Sequence, residues 1–437
     1  MKKNIITIIF ILFYSTIYGQ NNRLIIQDVA IIPLHINKIL KNRDVIIENG
    51  VIIKIRNHID NDTVKYDLGR INAKGKYLIP SFADAHSHLP EEKNLNNYFL
   101  MNLANGVTTL RSMRGEMWHI EINEKDKLVP KLILSSPPIS WRDSIFDAKA
   151  KQLIADYKNA GFDFVKILSV KDKSTLDLLI KYSKLYNLKL AGHCPSNVDF
   201  FYVLNSGVYQ SIEHLGGFMK LRDSKKIVQA VNQSIEKQVY NCPTLDWYFT
   251  GQVLEDSLRK REGVEFIPQE LVDKWEKKIQ KYYSKTTIEE RKNDREKSKA
   301  MFSNRLAWLN YIYRQGGLLL LSPDASGLYS IPGFGMHTEM QHFTDAGISN
   351  FDVLKAACYN LSVMLGEEND WGTIKVGTSS DLVLLNKNPL EDIKNTKEIE
   401  GIIFKGEYYT QKELVNNLKY LKSLNYYQLQ AGRFDNA

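Results

Sequence analysis

Cysteine is scarce: three in 437 residues, at positions 194, 242 and 358. An odd, widely spaced trio builds neither a disulfide framework nor a paired-cysteine metal knuckle. Also missing is an uncharged apolar run of the roughly 20 residues that a membrane-spanning helix takes. Neither sign of charge dominates, since 58 Lys and Arg stand against 50 Asp and Glu, a net +8 with the two signs interleaved. That leaves no focused basic stripe and argues against nucleic acid as a partner. Collagen-like and low-complexity stretches are absent, and 43% apolar with 25% charged residues is ordinary globular composition. At about 100–200 residues per domain, the length allows two or three domains.

The N-terminus departs from this background. Lys2 and Lys3 precede an apolar run, Ile5 to Phe13, broken only by Thr7, and Gly19 stands before Gln20. This basic, apolar, small-residue order reads as a secretory signal peptide over residues 1–19. The expectation is an exported protein, periplasmic or extracellular, with no stable membrane insertion once the signal is removed.

Two β-rich segments flank a longer alternating one. Leu24–Val29, Asp44–Glu48 and Val51–Ile55 are rich in β-branched residues, and Asn49-Gly50 between the last two predicts a tight hairpin. From residue 80 to 365, short apolar strands alternate with helical stretches. Strands are expected near Phe82–His86, Val107–Leu110, Lys131–Ser135, Phe164–Leu168, Leu188–Gly192, Gln210–Glu213, Val239–Cys242 and Leu318–Leu321. Eight strand–helix units predict an α/β fold, a (β/α)8 TIM barrel. A charged helical insertion over about 250–305 separates the last two strands, either a solvated helix pair or a lid over the barrel mouth. Thr373–Val376, Asp381–Leu385 and Ile402–Phe404 then predict β structure over 366–410, pairing with 20–79 as one small β-sandwich. Leu414, Leu418 and Leu421 mark an amphipathic C-terminal helix within 411–437.

Several strand ends carry metal-compatible groups. His86 and His88 are two apart, and such residues on an extended segment point to one side. His193, His214 and Asp324 follow the fifth, sixth and eighth expected strands. All belong to the C-terminal face of a barrel, where catalytic groups gather, and imidazole with carboxylate suits zinc and related ions. Lys166 sits among Phe164, Val165, Ile167 and Leu168. Desolvation there favours a neutral amine, which can add carbon dioxide to form a carbamate able to bridge two ions. An interior ion pair with Asp324 is the alternative. Arg111 and Tyr209, near strand ends, and His337, beyond the eighth strand, are candidate substrate contacts, while His35, His58, His119 and His342 read as structural or surface residues.

Longer motifs carry a resemblance. Gly75-Lys-Tyr-Leu-Ile-Pro-Ser-Phe-Ala-Asp-Ala-His86-Ser-His88, Asn105-Gly-Val-Thr-Thr-Leu-Arg111, Cys242-Pro-Thr-Leu245 and Gly372-Thr-Ile-Lys-Val-Gly-Thr-Ser-Ser-Asp381 resemble the amidohydrolase superfamily, in its imidazolonepropionase-like and prolidase-like branch. The resemblance implies two divalent ions, most simply zinc: one on His86, His88 and Asp324, the other on His193 and His214, with carbamylated Lys166 between them. Three departures stand out. Ser322-Pro323 replaces the usual Gly-Thr before the aspartate, Ser135-Ser-Pro-Pro-Ile-Ser-Trp141 replaces a Gly-Gly-His, and Tyr359-Asn-Leu-Ser362 replaces a Thr-x-Asn-Pro.

The chemistry implied is hydrolysis of a C–N bond in an amide, dipeptide or cyclic amide by a metal-bridging hydroxide, with Asp324 as general base and then acid. The partner is then a small-molecule or short-peptide substrate. A mononuclear deaminase or cyclic-amide hydrolase of the same superfamily, and a non-catalytic secreted binding protein on the same scaffold, are the competing readings. Homo-oligomer formation is left open by the sequence.

Overall fold

The computed structural model describes residues 23–60, 69–140, 145–252, 256–325 and 327–434, the side chains of 425–434 aside. The expected signal peptide lies outside them. Asn49 and Gly50 both take positive φ, +51° and +78°, the turn geometry that matches the twist of a two-strand hairpin. Leu40–Glu48 and Val51–Asn57 fold back on each other there. Together with Arg23–Ile31, Gly69–Asn72 and Tyr77–Pro80, they pair with Leu382–Leu385, Ile399–Phe404 and Glu407–Thr410 from the other side of the barrel. The seam is antiparallel, with Ile79 opposite Val383. Hydrogen bonding runs through all eight strands as one continuous sheet. Side-chain alternation gives it two faces: Leu24, Ile26, Val45, Leu382 and Ile403 close into a core of their own, while Ile79, Val383, Ile402 and Phe404 join the barrel core. Thr373–Val376, expected as a strand, is a turn, because Thr373 donates its hydroxyl to Pro33 O (2.6 Å) and Thr378 returns one to Thr373 O (3.1 Å).

Seven parallel strands follow the expected order: Phe82–Ser87, Val107–Ser112, Lys131–Leu134, Phe164–Ser169, Lys189–Gly192, Tyr209–Glu213 and Tyr240–Cys242. The eighth position forms no continuous ladder. Gly316-Gly317 before it and Pro323 after it, which has no N–H to pair, leave Leu318–Leu321 with single contacts. Asn241 N–H reaches Leu318 O and Leu320 N–H reaches Asn241 O, both at 2.8 Å, and Ala85 N–H reaches Leu321 O at 3.3 Å. Between the third and fourth strands, Ser136 N–H to Phe164 O (2.8 Å) spans the other break. With the two-residue strand Ile139–Ser140 pairing beside Phe164–Ser169, the ladders fall into a three-stranded and a five-stranded piece, and these contacts bridge the gaps of a (β/α)8 barrel.

The insertion folds as two helices, Gln269–Tyr283 and Ile288–Arg314, the second opened by a capping box between Thr287 and Glu290. Its last turns are not solvated, since Arg305, Leu309 and Ile312 are buried. The C-terminal helix Gln411–Phe434 places Leu414 and Leu418 in the barrel core, and Gln411 donates to Ala104 O at 3.0 Å.

A buried charge cluster anchors the helix that follows the seventh strand, Leu245–Gln252. Glu339 accepts the Leu245 and Asp246 N–H groups at 2.8 and 2.6 Å, a carboxylate at a helix N-terminus, where it is favoured. Asp246 in turn accepts from Arg261 and Ser330, both at 2.8 Å, with His342 Nε2 at 3.7 Å. Burial pulls the His342 pKa down, but Asp246, Asp345 and Glu339 outweigh it and raise it to about 9. A histidine pKa raised from 6.5 stabilises the fold fully below 6.5 and loses that stabilisation as pH rises through about 9. Thermal unfolding should therefore fall more steeply between these pH values in the wild type than in H342Q. Parallel profiles would refute the linkage.

Candidate metal centre

The first strand brings His86 to the barrel axis, and the sixth brings Glu213 beside it. His86 Nδ1 lies 2.7 Å from Glu213 Oε2. A carboxylate only accepts, so Nδ1 carries the proton and the Nε2 lone pair is left to a ligand. That Nε2 is 3.8 Å from Asp324 Oδ2. His214 is fixed by the same logic. Thr244 gives its single proton to Pro243 O (2.8 Å), so His214 Nδ1, at 2.6 Å, must donate to Thr244 Oγ1. Its Nε2 then faces Asp324 Oδ2 at 4.0 Å, and His88 Nε2 sits 3.0 Å from Asp324 Oδ1.

These groups fit a divalent ion. Donors each about 2.1 Å from one zinc lie at most about 4.2 Å apart. The ligand atoms of His86, His88 and Asp324 all lie within 4.8 Å of one another. Adjacent to them, the His214 ring centroid is 4.9 Å from that of His193 and 5.0 Å from that of His86. Burial lowers the pKa of His86, His193 and His214, that of His193 to about 4, and the positive charge of Lys166 lowers all three further. The rings are thus in the neutral, ligating form at pH 7.

Lys166 is 3% exposed. Burial brings its amine down to about 8, against the opposing pull of Glu213 and Asp324, so about a tenth is neutral at pH 7. Gly192 makes room for it. A Cβ there would stand 2.2 Å from Ile167 O and 3.0 Å from Lys166 Cδ, and φ is +127°, a backbone that only glycine adopts without strain. His214, Thr244 and Asp324, each just beyond a strand, also take positive φ: +62°, +52° and +49°. Non-glycine residues in this region cluster at functional sites.

Ser322, one of the motif departures, donates to Asp84 Oδ1 (2.5 Å) and accepts the Asp324 N–H (3.1 Å), tying the eighth strand to the first. Asp84 is itself buried, which pushes its carboxyl up to about 6.

Three expected substrate contacts are placed elsewhere. Arg111 is fully buried beneath the histidines: it donates to Ala85 O (3.1 Å) and Ser211 Oγ (2.9 Å), lies 3.6 Å from Glu213, and stacks on Phe164. It pairs with Glu213 and exposes no surface at the rim. Tyr209 opens the sixth strand at the end opposite the ligands and packs with Val208 and Ile212 in the core. His337 packs edge-on against Phe82, the first residue of the first strand, and bonds Thr396 Oγ1 at 3.0 Å. The other candidates, His86, His88, Lys166, His193, His214 and Asp324, meet at one rim.

Sequence reasoning missed Glu213, Thr244, Trp247, Tyr248 and Arg305. A carboxylate at the end of a barrel strand, directly before a candidate ligand, was the available signal for Glu213. Beside the rim, a cavity of about 390 Å³ between the fifth and sixth strand loops is lined by Cys194, Phe200, Phe201 and Lys220, and by none of the six.

No family model matches the chain. A Clostridium perfringens adenine deaminase is 26% identical over 271 residues, 54% of this chain and 46% of that protein. A Caldanaerobacter subterraneus subsp. tengcongensis dihydroorotase is 24% identical over 210 residues, 44% of this chain and 47% of that protein. The chain thus spans about half the length of the curated relatives it matches. Solved structures match almost throughout. Bottromycin amidohydrolase superposes with a TM-score of 0.74 at 18% identity, over 93% of this chain and 91% of its own. The chain shares the fold of this amidohydrolase. A Xaa-Pro dipeptidase (TM-score 0.67, 16% identity, 89% and 100% covered) and A. niger ochratoxinase (0.65, 15%, 90% and 96%) share this amidohydrolase architecture.

If Thr244 fixes the His214 tautomer, the near-isosteric T244V should weaken divalent-metal binding by about tenfold or more. Zinc titration of the apoprotein with a competing chelator reads this, and unchanged affinity would contradict the assignment.

Proposed function

We propose that the protein is a metal-dependent hydrolase of a C–N bond, in an amide, dipeptide or cyclic amide. The carrying observation is the convergence of three histidine Nε2 atoms on the Asp324 carboxylate, with Lys166 buried alongside. His86, His88 and Asp324 would hold one ion, and His193 and His214 the second. Lys166, once its neutral amine has added carbon dioxide and released a proton, would span them as a carbamate. When bound, such ions lower the pKa of water towards about 7 and polarise a carbonyl. Zinc fits this nitrogen and oxygen set.

The chain's own residues supply positioning and proton transfer. Glu213 is committed to His86 and Ser211, and Asp84 to Ser322 and the His86 N–H. Asp324, 4% exposed, is the carboxylate whose oxygens face the histidine Nε2 atoms. It takes the proton of the attacking water and returns it to the leaving amine. The N-terminal lysines and apolar run support export to the periplasm or beyond.

One observation favours a mononuclear reading, as a deaminase or cyclic-amide hydrolase. Among the described residues, the His, Cys and carboxylate groups close enough for one ion both centre on His86, and neither includes His193 or His214. The Lys166→Ala variant separates the readings. The binuclear enzyme should fall from two bound ions to one and lose about 100-fold or more of its activity on dipeptides and N-acyl amino acids, whereas a mononuclear enzyme keeps both. Asp324→Asn should lower kcat by about 10²–10⁴ in either case. A wild type with both ions loaded and no turnover across amides, dipeptides and cyclic amides would refute the hydrolase.

A further inference from the structure

The insertion helix Ile288–Arg314 places one cation against the ligand cluster. Arg305 is 7% exposed, and its Nη1 donates to His214 O at 3.1 Å. Its guanidinium carbon stands 3.1 Å from the centroid of the Tyr248 ring. Its Nε is buried without a partner. Among the described residues no carboxylate lies within ion-pair distance of it, and its surroundings offer only the Tyr248 phenol against the penalty of burial. Buried Arg111 is matched to Glu213 at 3.6 Å, and partly buried Arg261 to Asp246 at 2.8 Å. An unpaired buried cation is expensive. One held at the carbonyl of His214 is therefore explained by an anion that arrives with the ligand. The planar guanidinium fork fits a carboxylate.

The surroundings describe the rest of that ligand. Trp247 and Tyr248, both partly exposed, set their ring centroids 6.3 and 6.0 Å from that of His214. Tyr248 also feels the charges of Asp324 and Arg305, and so lies near both the general base and the cation. These rings form an aromatic wall beside the guanidinium.

We infer that Arg305 is the receptor for a free carboxylate on the substrate, with Trp247 and Tyr248 packing the neighbouring apolar group. The substrate is then an N-acyl amino acid or short peptide whose carboxylate lies close to the scissile C–N bond. Neutral cyclic amides and nucleobases lack this handle. The inference rests on the hydrolase reading for the identity of the scissile bond, though not for the binding of the carboxylate.

The test compares acids with their amides on the zinc-loaded full chain. N-acetyl derivatives of alanine, leucine, phenylalanine and proline, each as free acid and as carboxamide, are titrated by calorimetry and assayed for turnover in wild type, Arg305→Met and Arg305→Lys. A hydrogen bond to a charged group predicts acids binding at least about tenfold tighter than amides in the wild type. That ratio should collapse towards one in Arg305→Met and survive in part in Arg305→Lys, with KM for the acids rising correspondingly. Bound zinc and far-UV circular dichroism should stay unchanged. A wild type that binds acids and amides alike, or that binds no acid, overturns the inference, as does an Arg305→Met variant that loses zinc while keeping the ratio. Should Arg305→Met fail to fold, the wild-type ratio and its fall in Arg305→Lys decide. Acid-selective binding without turnover would sink the hydrolase reading alone, and turnover indifferent to the carboxylate would sink this inference alone.

Discussion

The carboxylate of Glu213 is buried in the barrel between Arg111 and Ser211, and because it can only accept, the proton of His86 must sit on Nδ1. Everything at the rim follows from that constraint. Arg111 sets its guanidinium 3.6 Å from Glu213, a buried positive charge facing a buried negative one. Such a buried pair contributes orientation more than stability. Thr244 does the same for His214 with a neutral hydroxyl, its own proton already given to Pro243. Two of the rings thus arrive with their lone pairs aimed at Asp324.

The backbone makes the arrangement rigid. Three of the residues that surround the rim leave their strands in a left-handed conformation, which turns a side chain inward just where the pleat would carry it along the strand. Gly192 removes the one Cβ that would collide with Ile167 and press on Lys166. Ser322 joins the first and eighth strands through side chains where the ladder between them is thin. These local strains are tolerated because the barrel around them is densely packed.

Much of this was legible in the sequence. The order of the seven barrel strands, the Asn49-Gly50 hairpin and the apolar setting of Lys166 follow from periodicity and turn chemistry, whereas the terminal segments, expected as a small β-sandwich, pair as one continuous sheet. What failed was the face on which a residue lies. Arg111 was placed near the correct strand end, but its strand turns it into the interior, towards an acid that sequence proximity does not reveal. Tyr209 precedes an irregular register between Leu190 and Ala191, and a one-residue slip exchanges the two faces of a strand. His337 belongs to a helix that starts at Phe334 and runs down the outside of the barrel. Leu318–Leu321 is too short between its glycines and proline to build a ladder. Arg305 sits in a stretch crowded with Lys, Glu and Arg, where nothing marks one cation as buried.

The long insertion helix therefore supplies a cation that the barrel strands do not. Its Arg305 reaches across 91 positions of chain to the backbone of His214, while the six candidate ligands lie on or just beyond the barrel strands. On the proposed reading, reactivity and recognition are written in different stretches of the gene, so exchanging that one segment would redirect what is bound while the chemistry passes through intact.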